Sequence, residues 1–257
     1  MSGSTGPGRY VVIAALLVTG LAVLAALLLP GPGTGPTAAG RLITDLHRRL
    51  LLVAVPLAVL VEGIILYAIW RFRNNDDPVP TPENRGLELT WTVATGLVLL
   101  YVGLASYLVL ANAAVTPAAD PGTPENAAEI QVTGQQWYWS VTYPEENVSV
   151  SRPDRIVLPA NRSLRITVGS EDVIHSFHAP KLGLKRDAMP GEEGVITTTI
   201  TRTGEYRLYC AEYCGHGHAS MKTTIAVVPP EEYDEWLDEQ RGADRTSSPP
   251  DGSRASQ

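Results

Sequence analysis

The chain has 257 residues, 44% of them hydrophobic, and its 20 Lys and Arg against 27 Asp and Glu leave a net charge of −7. The acidic balance excludes the basic face of an ordinary nucleic-acid binder. Two cysteines exclude a disulfide-stapled scaffold and leave either one bridge or a site.

Taken in chain order, residues 10–29 are 20 positions without a charge, preceded by Arg9 and followed by the Pro/Gly-rich stretch 30–36. This run suits either a first spanning helix or the apolar core of a signal peptide. Ala38 and Ala39 would suit a peptidase, so residues 1–39 form a leader or a first segment with its linker. Residues 50–70 are apolar apart from Pro56 and Glu62, and Arg71 and Arg73 close them. Residues 89–111 form a third run, with Glu88 before it and Trp91 near its start. Each is long enough to cross roughly 30 Å of hydrocarbon at about 1.5 Å per residue. Residues 40–112 therefore read as a transmembrane helical hairpin.

Lys and Arg placement gives the orientation. The loop 71–87 carries Arg71, Arg73 and Arg85, whereas 111–128 carries none. That puts the loop in the cytoplasm and everything after residue 111 outside, on the periplasmic or extracellular face of a plasma membrane. Arg41, Arg48 and Arg49 weigh against this assignment. Residues 113–128 are an irregular tether. From residue 129 to 230 the chain turns to short runs rich in Val, Ile, Thr and Tyr, at 129–133, 136–143, 155–158, 163–168, 195–201, 204–209 and 223–228. Such runs predict an all-β sandwich or barrel. Alternation along 136–143 would put Trp137 and Trp139 on one face. Residues 231–240 predict a short acidic helix, and 241–257 a disordered tail.

The segment from Cys210 to Met221 packs two thiols, the His218 imidazole and a thioether into twelve residues between two strand-like runs. Soft sulfur ligands with imidazole select copper, and a weak Met marks electron-transfer sites. A disulfide across three residues would close a tiny loop, and zinc rarely takes Met. A second imidazole has to come from elsewhere in the fold, and His175 stands 35 residues upstream of Cys210. A cupredoxin-like barrel combines one upstream His with a Cys/His/Met loop. The second cysteine lets two thiolates bridge two copper ions.

These residues resemble subunit II of cytochrome c oxidase, in the haem–copper oxidase superfamily. Cys210, Glu212, Cys214, His218 and Met221 fit the family pattern C-x-E-x-C-x3-H-x2-M. The segment DVIHSFHAPKLGLKRDAMPG from Asp172 to Gly191 is similar to the family's upstream ligand segment, and Gly134–Ser140, with Trp137, Tyr138 and Trp139, to its aromatic segment. The resemblance covers roughly residues 45–240. It implies a helical hairpin followed by a cupredoxin-like Greek-key barrel. It implies a binuclear copper centre, CuA, bound by His175, Cys210, Cys214, His218 and Met221, with Glu212 contributing its backbone carbonyl. The Glu212 carboxylate would help hold a magnesium ion shared with subunit I, and Asp187 would face the same interface. Trp137 would be the point of electron entry, and Glu88 the entrance of a proton path.

The implied partners are oxidase subunits I and III, cytochrome c or another small electron carrier, and membrane lipid; nucleic acid is not among them. The implied activity is oxidation of the soluble donor, with oxygen reduced to water and protons translocated by the complex. This chain alone would carry electrons without reducing oxygen. A CuA-bearing nitric oxide reductase subunit and a membrane-anchored copper carrier are the alternatives. His178 and His216 read as non-ligands, and Glu62 carries no family role. Ala94-Thr95 stands where the family often has Ile-Pro, and Glu192 and Glu193 where it often has a basic residue. Residues 229–257 hold 3 basic and 8 acidic residues, against 10 and 13 in 113–228, so global charge supports docking of a basic donor only weakly. Local acids such as Glu145, Glu146, Glu171 and Asp172 would have to make that case.

Overall fold

The computed structural model describes residue 20 and residues 34–80, 82–116 and 122–247. The expectations for the run 10–29, Gly20 apart, and for residues 248–257 lie outside the described residues. The chain divides into two compact units, one holding Leu42–Ala111 and the other joining Gly35–Arg41 to the residues from Asn112 onward.

The first unit is built from two helices, α1 (Ala38–Phe72) and α2 (Arg85–Leu110). α1 begins well before the apolar run, because residues 38–49 contain no proline and continue the helical pattern. Asn84 caps α2, its side chain accepting the Leu87 N–H at 3.0 Å. Glu88 lies in the first turn, where a carboxylate complements the helix dipole. α2 buries no residue, and Leu66 of α1 and Leu99 of α2 are 63% and 66% exposed. Helices that are apolar all round demand lipid or partner helices around them. Both are long and apolar enough to span a membrane. Glu62 is exposed midway along α1.

The second unit is a two-sheet β-sandwich. One sheet contains β1 (Ala128–Gln135), β2 (Tyr138–Tyr143), β3 (Val148–Ser151), β5 (Ser163–Ser170) and β8 (Gly194–Thr199), in the order β3-β2-β1-β5-β8. The other contains β4 (Arg155–Pro159), β6 (His175–Ala179), β7 (Leu184–Ala188), β9 (Gly204–Cys210) and β10 (Lys222–Val228), in the order β4-β10-β9-β6-β7. β1 runs parallel to β5, and β4 parallel to β10, so crossovers link the sheets. Period-two alternation buries Ile130 and Val132 of β1, Val141 of β2, and Leu164, Ile166 and Val168 of β5. Leu208 of β9 and Ile225 of β10 meet them from the second sheet in one core. Each such buried aliphatic contributes about 1.5–3 kcal/mol.

A tyrosine ties the sheets together. The Tyr143 hydroxyl of β2 donates to the Val157 carbonyl of β4 at 3.0 Å and accepts the Val157 N–H at 3.2 Å. Burial pushes its phenol well above the usual range. The last helix, α3 (Pro230–Ser247), continues past the expected stop at 240. It seals the sandwich with buried Tyr233 and Leu237, and Trp236 meets the Tyr143 ring edge-on at 5.1 Å.

Three strands escaped the sequence reading. β3 is only four residues, VSVS, while β6 carries two histidines and β7 carries Lys185, Arg186 and Asp187, so neither reads as apolar. The run 136–143 starts as a strand only at Tyr138, which leaves Trp137 in the turn after β1. Trp137 and Trp139 therefore do not share a face: Trp139 is 2% exposed and Trp137 40%.

The segment before α1 belongs to the sandwich unit. The Thr37 hydroxyl accepts the Gly40 N–H at 2.9 Å, capping α1, and donates to the Leu182 carbonyl at 2.5 Å. Thr201 donates its N–H to the Pro36 carbonyl at 2.7 Å. Gly183, at φ +64, adopts the left-handed region, and a Cβ there would meet the Gly40 nitrogen at 2.7 Å.

Candidate metal centre

The sheet register brings His175 and Cys210 together. β6 pairs with β9 so that Phe177 lies opposite Cys210, and the Ala211 N–H donates to the Ser176 carbonyl at 3.0 Å. The loop from Cys210 to Met221 is closed at its base, where the Cys210 N–H donates to the Met221 carbonyl at 3.0 Å. A short 3-10 turn, His218–Ser220, brings Met221 back toward the cysteines.

Local hairpin geometry and one cross-strand pairing thus gather every copper-ligand candidate from the sequence. Cys210 Sγ lies 3.8 Å from Cys214 Sγ and 3.9 Å from His175 Nδ1. Cys214 Sγ lies 3.7 Å from His218 Nδ1 and 3.8 Å from Met221 Sδ. The Cys210 thiol donates to the Glu212 carbonyl at 3.1 Å. His175, Cys210, Cys214 and Met221 are buried and His218 half-buried. Both cysteines are free thiols.

The donor set fits metal. Two bonds of about 2.3 Å to one ion at a tetrahedral angle hold their donor atoms about 3.7 Å apart, close to the separations here. Burial pushes the Cys214 thiol up to about 11, and the neighbouring Cys210 adds to it. Bare, Cys214 keeps its proton; a cation bound at the site would make a thiolate of it. Two thiols, two imidazoles and a thioether are soft to borderline donors suited to copper.

Asp172 supplies a feature missed from sequence, where it read as a surface acid. Its Oδ1 lies 2.8 Å from His175 Nε2, and its Oδ2 accepts the Gln136 N–H at 2.7 Å. Partial burial pushes its carboxyl up, but the His175 ring and the N–H groups of Val173 and Gln136 outweigh this and hold it below the ordinary carboxylate range. A carboxylate only accepts, so Nε2 carries the proton and the Nδ1 lone pair faces Cys210. The readable signal was a carboxylate three residues before the candidate ligand His175.

Trp137 lies over the ligand loop. Its Nε1–H donates to the Cys214 carbonyl at 3.1 Å, beside the Gln136 side chain, which donates to the same oxygen at 2.8 Å. Trp139 packs beneath, edge-on to His175 at 6.0 Å and to Phe177 at 5.9 Å.

The other candidates lie apart from the sulfur cluster. The Glu212 side chain is exposed. Exposed Asp187 accepts from the Ser176 hydroxyl at 2.7 Å and from Lys185 at 3.1 Å, and these partners hold its carboxyl below the ordinary range. His178 binds the Leu184 carbonyl through Nδ1 at 3.2 Å and stacks edge-on with Tyr209, while His216 is exposed. Glu88 belongs to the helix unit.

Comparison with known proteins places the chain in a family. The family model described as cytochrome c oxidase subunit II, periplasmic domain, matches residues 146–228, and that for its transmembrane domain matches residues 32–109. A probable cytochrome c oxidase subunit 2 of Rickettsia bellii is 33% identical over 212 residues, 74% of this chain and 76% of that one. The mitochondrial cytochrome c oxidase subunit 2 of Glycine max is 30% identical over 224 residues, 77% of this chain; the chain spans 55% of that relative's length. The crystal structure of the periplasmic domain of subunit II of cytochrome oxidase from Bradyrhizobium japonicum is 31% identical and covers 48% of this chain and 99% of that one, at a TM-score of 0.45. The chain belongs to the cytochrome c oxidase subunit II family.

Proposed function

We propose that this chain accepts electrons singly from cytochrome c or a similar soluble donor at a binuclear CuA centre and passes them to haem in subunit I, where oxygen is reduced to water. The observation that carries this reading is the gathering of two thiols, two imidazole Nδ1 atoms, a thioether and a carbonyl at donor separations of 3.1–3.9 Å. His175, Cys210, Cys214, His218 and Met221 would hold the copper pair through side chains, and Glu212 through its carbonyl. Bound there, a copper pair would supply a one-electron carrier whose charge change is shared between two ions.

The chain's own residues set the conditions for that transfer. The two strands and the closed loop fix the donor atoms, so little of the frame moves when charge arrives. Asp172 keeps the His175 lone pair aimed into the cluster. Trp137 presents a flat indole between solvent and the Cys214 backbone, the contact an incoming donor would use. The exposed Glu212 carboxylate helps hold magnesium at the subunit I surface, and Asp187 faces the same interface. Glu88, beside the cytoplasmic loop, sits at the entrance of a proton path. Subunit III and lipid complete the surroundings of the helices. The sandwich lies on the outer face of the plasma membrane, a placement that Arg71, Arg73 and Arg85 in the loop favour.

Stopped-flow mixing of the assembled oxidase with reduced mitochondrial cytochrome c tests the reading. Electron uptake by copper should precede haem reduction, and Cys214→Ser should abolish it. Unchanged uptake in that variant would overturn the assignment.

A further inference from the structure

The geometry points to Gly217 as a positioning residue for electron entry: its missing side chain is what lets the Trp137 indole lie flat on the metal-ligand loop. This rests on the reading of Trp137 as the entry point. Gly217 sits between the ligand candidates Cys214 and His218, one residue before the 3-10 turn. A Cβ built on it would stand 2.5 Å from Trp137 Cγ and 2.7 Å from Cε3, nearer still to Cδ2, and real Cβ atoms essentially never approach closer than 3.0 Å. These are the inner atoms of the indole and not a flexible tip, so the ring as a whole would have to move.

The ring has one place to go. Its Nε1 edge is tied to the Cys214 carbonyl at 3.1 Å, while 40% of the residue is open to solvent. A methyl at 217 therefore pushes the indole outward and breaks that hydrogen bond. Gly217 has φ −88 and ψ 7, on the negative-φ side where alanine is allowed, as at the third position of a type I turn. The substitution thus tests mainly the space beside the ring. At Gly215, by contrast, φ is +112, and any side chain would strain the backbone itself.

For entry, the donor loses one electron and the copper pair gains it; no proton or bond changes at Gly217 or Trp137. The contribution of Gly217 is distance and orientation. A displaced ring lengthens the path from the donor to the metal loop, so Gly217→Ala should slow entry from the donor severalfold.

The test compares Gly217→Ala, Trp137→Ala and the double variant in the assembled oxidase, with reduced mitochondrial cytochrome c as donor. Gly217→Ala should keep its copper content, its copper spectrum and its reduction by dithionite, and lose rapid reduction by cytochrome c. In the Trp137→Ala background the same methyl should have no further effect, because there is no ring to displace. In the metal-free full-length chain, the Trp137 indole N–H resonance should shift upfield in Gly217→Ala as its hydrogen bond is lost. If Gly217→Ala slows entry equally with and without Trp137, or leaves both the resonance and the rate unchanged, the proposal is wrong. If Gly217→Ala fails to assemble, rescue by Trp137→Ala supports the steric account, and failure of both variants overturns it. If Trp137→Ala alone leaves entry unaffected while the resonance still moves, the entry role of Trp137 fails and the positioning by Gly217 stands.

Discussion

The two units spend their apolar residues in opposite ways. In α1 and α2, Leu66 and Leu99 face outward, 63% and 66% exposed. In the sandwich, Leu164 and Leu208 are fully buried, and the exposed large apolar residues gather near the metal loop, with Tyr213 at 80% and Ile174 at 44%. The helix unit satisfies its backbone internally and takes its apolar environment from outside. The sandwich makes its own, and so can hold donor atoms still. The difference teaches that apolar content alone decides nothing here; periodicity does.

The strongest way to break this comparison is to truncate a leucine in each unit. Leu208→Ala should destabilise the sandwich by about 2–5 kcal/mol, read by denaturant melting of the full chain in detergent. An unchanged midpoint would mean that the core is not the frame of the site. Asp172→Ala leaves the fold in place but frees the His175 ring, and copper affinity measured by competition with a chelator should fall roughly ten- to a hundredfold. Undiminished affinity would show that the frame aims His175 unaided. Tyr143→Phe strands the Val157 N–H and carbonyl, and should cost the sandwich about 1–3 kcal/mol. Thr37→Ala removes a helix cap and the bond to Leu182, for about 1 kcal/mol in the same melt. No change would mean that residues 35–41 do not belong energetically to the sandwich. Smallest of all, Leu99→Ala should move the sandwich melt by less than about 0.5 kcal/mol.

The legibility of the sequence followed the same division. Helix positions were readable because a continuous apolar run needs no tertiary context. The metal loop was readable because its donors lie within twelve residues and are chemically rare together. β6 and β7 were not, because they carry two histidines and Lys185, Arg186 and Asp187, and neither alternates in an apolar pattern. Asp172 looked like a surface acid because its aim depends on β1 and β6 meeting. Trp137 looked like a strand residue because nothing local marks the turn at Gln136 and Trp137. The closeness of Gly217 to that ring, and of Thr37 to Leu182, exists only after folding has joined segments far apart in the chain.

The central claim is that one chain holds two copper ions between Cys210 and Cys214. Copper analysis of the purified full-length chain, together with electron paramagnetic resonance, tests it most directly. The account predicts two coppers per chain and a signal from one unpaired electron shared equally between them. One copper per chain, or a disulfide joining Cys210 to Cys214, would contradict it.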